Sequence, residues 1–197
     1  MALAGTAPEL GGKRALGSEM VSSYAIDDGE RLLLFDPISP PGEIDELASG
    51  REKAVVLTNP WHERDTRSLV DRLGVPVHSP RPDTGSPDIA WLLAGEAGEL
   101  HLYSADGALP AGVEAAFPGR EPNDLVLWIE SCRAVVVGDT LVDFGQGLEI
   151  PRGWLGEAVT REQIVEELRP LLELPVELVR ATHGGPADRS TLERALS

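Results

Sequence analysis

The chain carries a single cysteine in 197 residues, Cys132. One thiol excludes an intramolecular disulfide framework and a cysteine-rich zinc site. Cys132 lies in the apolar stretch LVLWIESCRAVVV, so it reads as a buried structural thiol, and such usage fits a reducing, cytoplasmic setting. Basic residues are also scarce, with 17 Lys and Arg against 33 Asp and Glu and a formal net charge of −16. Nucleic-acid backbones demand clustered cations, so nucleic acid is not expected as a partner, and neither is an anionic membrane surface. The acidity reads as solubility and repulsion between copies. No apolar run approaches the roughly 20 residues of a membrane span. The opening MALAGTAPELGGKRALG has no basic segment followed by an apolar one, so it does not read as a secretion signal. The chain also lacks a G-x-S-x-G nucleophile elbow and a phosphate-binding P-loop.

Hydrophobic residues make up 42% of the chain, enough for a sizeable core without a staple. Residues 1–17 are expected to form a flexible tail, and 18–197 a single domain. Alternation over Met20–Ile26, an acidic-glycine turn at Asp27–Glu30 and the run Arg31–Phe35 predict a strand hairpin. A short helix follows within Gly42–Gly50. Ala54–Leu57 reads as a buried strand and Glu63–Leu73 as a helix stopped by Gly74. Val75–His78 reads as a strand and Ser79–Ser86 as a loop. Further strands are expected at Leu100–Tyr103, Val113–Phe117, Leu125–Glu130, Arg133–Val137 and Val176–Ala181. Thr160 with Gln163 has capping-box spacing ahead of an apolar helical stripe, and a last helix is expected over Ala187–Leu196. This order predicts two mixed sheets packed face to face with helices outside. Strands ending at Asp36, Leu57, Val137 and Ala181 each run into a polar or glycine-containing turn, and gathered ends would make one site.

With those turns in view, the chain resembles the metallo-β-lactamase superfamily over about Ser18–Ser197. LLLFDP resembles that family's early hairpin. AVVLTNPWHERD falls where the family carries T-H-x-H-x-D-H, and FPGREPND where a P-G-H-like turn brings a third histidine. VVVGDTL resembles the strand ending in a metal-bridging aspartate, and VRATHGGP the strand bearing the last histidine. The resemblance implies an α/β fold, a four-layer αββα sandwich of two mixed β-sheets with helices on the outer faces. It also implies a degenerate metal site. Asn59 and Trp61 stand at two imidazole positions, Glu63 at the aspartate, Arg64 at the next histidine and Arg120 at the third-histidine turn. Only Asp139 and His183 match outright.

Three functional readings follow. In the leading one the chain needs no cofactor. Arg64 and Arg120 replace the metal's charge beside Glu63 and Asp139, or bind an anion, and the protein is a catalytically silent ligand-binding or interaction module. In the second, Glu63, Asp139 and His183, with His62 able to join, hold one zinc, manganese or iron ion and hydrolyse a small ester, thioester or lactone. In the third, His183 or His62 serves as a metal-free general base, with an arginine stabilising an oxyanion. Asp36 is expected to brace the site through backbone N–H groups and Trp61 to fill the metal's volume. Asp65 and Asp124 read as solvated or helix-starting residues, and His78 and His101 as surface or satisfied core histidines. A small molecule or a protein is the expected partner, and an exposed strand edge or Trp-lined loop would support a homodimer.

Overall fold

The computed structural model describes residues 14–16, 19–82, 89–96, 98–156 and 159–197. Two five-stranded mixed sheets form the centre. The first has the order β3 (Tyr24–Asp27), β4 (Arg31–Phe35), β5 (Glu52–Val56), β6 (Val77–Pro80) and β7 (Leu100–Tyr103). The β3–β4 pair is antiparallel and the others are parallel. The second sheet has the order β12 (Pro186–Asp188), β11 (Leu178–Arg180), β10 (Ala134–Val136), β9 (Leu125–Ile129) and β8 (Ala115–Pro118). Its one parallel pair is β10–β11.

The layering follows from strands that are apolar on both faces. In β4, Leu33 and Phe35 point into the inter-sheet core, while Leu32 and Leu34 face the other way. In β9, Leu125, Leu127 and Ile129 point inward, while Val126 and Trp128 face outward. A period of two with apolar residues at every position demands cover on both sides. The first sheet's outer face is covered by α1 (Glu43–Ala48), α2 (Thr66–Leu73) and α3 (Ala90–Leu93) through Ile44, Leu69, Val70 and Leu92. The second is covered by α4 (Arg161–Leu168) and α5 (Arg189–Ala195) through Ile164, Leu168 and Leu192. The result is the expected αββα sandwich. Among the described residues no helix is long and apolar enough to cross a membrane.

Local signals hold where they have a mechanism. Gly74 closes α2 at φ 61°, a left-handed position that favours glycine. Thr160 and Gln163 exchange both capping-box hydrogen bonds at the start of α4. Several boundaries differ. The expected strand Met20–Ile26 is two strands, β2 (Glu19–Val21) and β3, because Ser22 turns away to donate its N–H to the Thr182 carbonyl and its hydroxyl to that of Gly184. Within the expected tail, Arg14–Leu16 forms β1, antiparallel to β2; residues 1–13, 17 and 18 lie outside the described residues. Ser79 and Pro80 belong to β6 rather than a loop, pairing with Leu102 and Tyr103, and residues 83–86 of that loop are not among those described. The last helix starts at Arg189, because Pro186–Asp188 first pairs antiparallel with β11. The undecided patch Trp91–Leu93 is helical.

Parallel pairing sets the position of the site. The β4–β5 and β10–β11 pairs each deliver two C-terminal ends to one edge. Leu125 donates its N–H to the Thr58 carbonyl, which ties the two edges together.

Candidate functional site

Four turns meet at this edge, bearing Asp36, Thr58–Arg64, Gly138–Thr140 and Thr182–Gly184. Asp36 is fully buried and accepts from the Thr58 N–H at 2.9 Å and the Thr58 hydroxyl at 2.7 Å. The backbone brace expected of Asp36 is therefore present. Its φ of 44° is unusual for a residue with a Cβ, and the paired bonds to Thr58 hold it there.

His62 is the hub. Its Nδ1 lies 3.1 Å from Asp36 Oδ2, and its Nε2 lies 3.1 Å from Asp139 Oδ1. Burial favours the neutral ring, but Asp36 and Asp139 outweigh it and raise His62 to about 9. A ring charged at pH 7 would carry an N–H toward each carboxylate; Thr58 Oγ1 at 3.2 Å from Nδ1 and Asn59 Nδ2 at 3.3 Å from Nε2 also abut it. Asp36, despite complete burial, is held below the ordinary carboxylate range by His62, Arg64 and Thr58. Burial likewise opposes ionisation of Asp139, yet hydrogen bonds and charge from His183 and His62 draw it far down.

The two arginines act differently. Arg120 Nη2 lies 3.3 Å from Asp139 Oδ2, its Nε 3.2 Å from Asp124 Oδ2, and its Nη1 donates to the Trp154 carbonyl. Nη1 and Nη2 thus donate to internal acceptors, while the approach of Nε to Asp124 is an ion pair without hydrogen-bond geometry. Arg64 donates from Nη1 to the carbonyls of Ser22 and Asp36, and its own φ is 48°. Glu63 Oε1 accepts the Arg67 N–H at the start of α2. His183 Nε2 lies 3.3 Å from Asp139 Oδ1, and its ring meets Trp154 edge-on at 4.9 Å. Asn59 is buried and accepts the Trp61 N–H at 3.0 Å; Trp61 is half-buried.

Asp124 corrects the sequence reading. It is buried, not solvated, and accepts from the Thr140 hydroxyl, the Asp139 N–H and Asn59 Nδ2. Burial, then the charge of Asp139, push its carboxyl up to about 6. A polar residue directly abutting the all-buried strand Leu125–Ile129 was the available signal. Three buried threonines were also missed. Thr58, Thr140 and Thr182 donate their hydroxyls to Asp36, to Asp124 and to the Gly138 carbonyl. Two glycines make room for these contacts. A Cβ at Gly119 would fall 1.8 Å from Thr140 Oγ1, and one at Gly138, where φ is 52°, 2.6 Å from Asp124 Oδ1.

Among the described residues, one group has metal-ligand spacing. His62, Asp139 and His183 each offer one donor atom, all within 4.8 Å of one another. His78 and His101 lie elsewhere, stacked at 4.8 Å as partners on β6 and β7. Cys132 is half-buried in the turn before β10, where burial pushes its thiol up, away from thiolate reactivity.

No family model and no curated protein matches the sequence. Solved structures do match its fold. The di-iron-bound form of TTHA1623 is 21% identical with a TM-score of 0.63, covering 93% of this chain and 98% of its own. A metallo-β-lactamase from Pontibacter korlensis is 16% identical at a TM-score of 0.62, covering 94% and 91%. The BLEG-1 B3 metallo-β-lactamase is 18% identical at 0.57, covering 93% and 96%. At these identities the likeness is one of fold.

Proposed function

We propose that this chain, which has the metallo-β-lactamase fold, is a non-hydrolytic ligand-binding module in which cationic side chains stand where metal would be. The observation that carries the reading is His62 held between Asp36 and Asp139, with Arg120 between Asp139 and Asp124. Three carboxylates face two guanidiniums and one imidazolium, so the centre is close to neutral without any ion. Such a network stabilises buried carboxylates but supplies no open coordination position for an activated water. Beside it stand Trp154, edge-on to His183, and Phe144, which is 41% exposed and edge-on to Trp154. An apolar wall next to a charged floor suits a small ligand with an apolar group.

A second reading is favoured by the donor spacing of His62, Asp139 and His183. Two imidazoles and a carboxylate fit a single zinc or iron ion, and the Asp36 contact to His62 Nδ1 is the brace that metal-binding histidines commonly have. An ion there would acidify a bound water for hydrolysis of a small ester, thioester or lactone. Against it, His62 would first have to release a proton held at about 9, which costs about 3 kcal/mol at pH 7. Arg120 also occupies the second oxygen of Asp139. Elemental analysis of chain purified without chelator separates the two. The network reading expects far less than one metal per chain and no change in melting temperature on adding zinc, manganese or iron. One tightly held ion per chain, lost in Asp139→Ala, would establish the metal site instead.

A further inference from the structure

Away from the charged centre, and sharing no residue with its network, a pocket of about 290 Å³ is lined by Leu148, Glu149, Ile150, Arg152, Arg161, Arg194 and Ala195. Three of the chain's 17 Lys and Arg converge there, although the net charge is −16. Many other arginines pair with side-chain carboxylates, as Arg31, Arg72, Arg133 and Arg189 do. Among the described residues these three do not. Arg161 Nη2 donates to the carbonyl oxygens of Ala195 and Ser197, and Arg194 to the hydroxyls of Ser190 and Thr191. Those acceptors are hydroxyl or main-chain oxygens that steer the side chains and leave further guanidinium donors. Glu149 is the one carboxylate in the lining, and Glu162 beside Arg161 and Arg152 and Asp188 beside Arg194 are exposed carboxylates at its margin.

The guanidiniums come from three separate elements: the turn Arg152–Trp154, the first residue of α4 and the last turn of α5. Concentrating like charge this way is unfavourable unless an anion joins it. A planar carboxylate matches one guanidinium fork, whereas a tetrahedral oxyanion offers acceptors in several directions. We infer that this pocket is a binding site for a phosphate-class oxyanion, either free or as the phosphoryl group of a small molecule. The site does not depend on whether the centre holds metal.

The test is an NMR titration of the full-length ¹⁵N-labelled chain with sodium phosphate, sodium sulfate and sodium acetate, at ionic strength fixed by chloride. Phosphate and sulfate are expected to give one-site saturating shifts confined to residues 148–152, 161 and 194–195. Acetate should bind about tenfold more weakly or worse. Arg152→Gln/Arg194→Gln should weaken phosphate by about tenfold or more, and Arg152→Gln alone by a smaller factor, while Arg169→Gln leaves it unchanged. Arg152 and Arg194 are exposed, so these variants retain the fold, and native-like spectra verify it. Adding a phosphorylated sugar in place of inorganic phosphate distinguishes the two sources, since only an esterified ligand adds shifts beyond the three arginines. Non-saturating shifts in the native chain, equal binding of acetate, or undiminished binding in the double variant would overturn the assignment.

Discussion

His62→Leu is expected to lower the free energy of unfolding by about 3–5 kcal/mol at pH 7, because it leaves two buried carboxylates without their shared cation. Compensating water has no access to Asp36, which is fully buried, and little to the Asp139 side chain, which is 14% exposed. The pH dependence identifies the cause. His62 has a folded value of about 9 against 6.5 for the free ring, so the contribution of its charge is complete below pH 6.5 and gone above about pH 9. The difference between the native chain and His62→Leu in urea unfolding should therefore be larger at pH 6 than at pH 9.5, by about 3 kcal/mol. On the acid side the signs differ. Asp36 and Asp139, both lowered, contribute above 3.8 and lose their contribution as pH falls through their folded values. Asp124, raised to about 6, opposes folding most above that pH, and its opposition is relieved as pH falls towards 3.8. A His62→Leu effect independent of pH would mean that the ring acts through packing alone.

Arg120→Met is expected to be comparably severe, about 3–5 kcal/mol, since it removes the guanidinium between Asp124 and Asp139. The size of the loss reflects the carboxylates left behind. Adding Asp124→Asn to Arg120→Met should then recover part of it, with a coupling of about 1–3 kcal/mol in the double-mutant cycle. Thermal and urea unfolding of the four proteins measure this directly. Additive effects would show that Arg120 and Asp124 are neighbours without energetic linkage. Under the metal reading, Arg120→Met would also free Asp139 Oδ2, and zinc would restore the lost stability.

The layers were legible in the sequence because strands such as Leu32–Phe35 and Leu125–Ile129 are apolar at consecutive positions, which only a doubly covered sheet accommodates. The meeting of turns was legible because each strand stops at a polar or glycine-containing segment. Less accessible was which side chain of Trp61–Arg64 enters the centre. The motif resemblance puts Glu63 at a ligand position, whereas the folded turn brings His62 to Asp36 and Asp139, and Glu63 to the Arg67 amide. Turn geometry, with Arg64 at φ 48°, decides that orientation, and residue spacing does not encode it. Asp124 escaped for a related reason. A carboxylate beside a strand looks solvated until Thr140 and Arg120, distant by different amounts in sequence, are seen to converge on it.

On the proposed reading His62 is a buried cation filling the place of a metal. Nitrogen-15 NMR of the histidine side chains in the full-length chain at pH 7 tests it most directly. Both His62 ring nitrogens are expected to be protonated, the ring to titrate near 9, and its signals to stay put when zinc is added. A neutral His62 with an unprotonated Nε2 that shifts on stoichiometric zinc would contradict it.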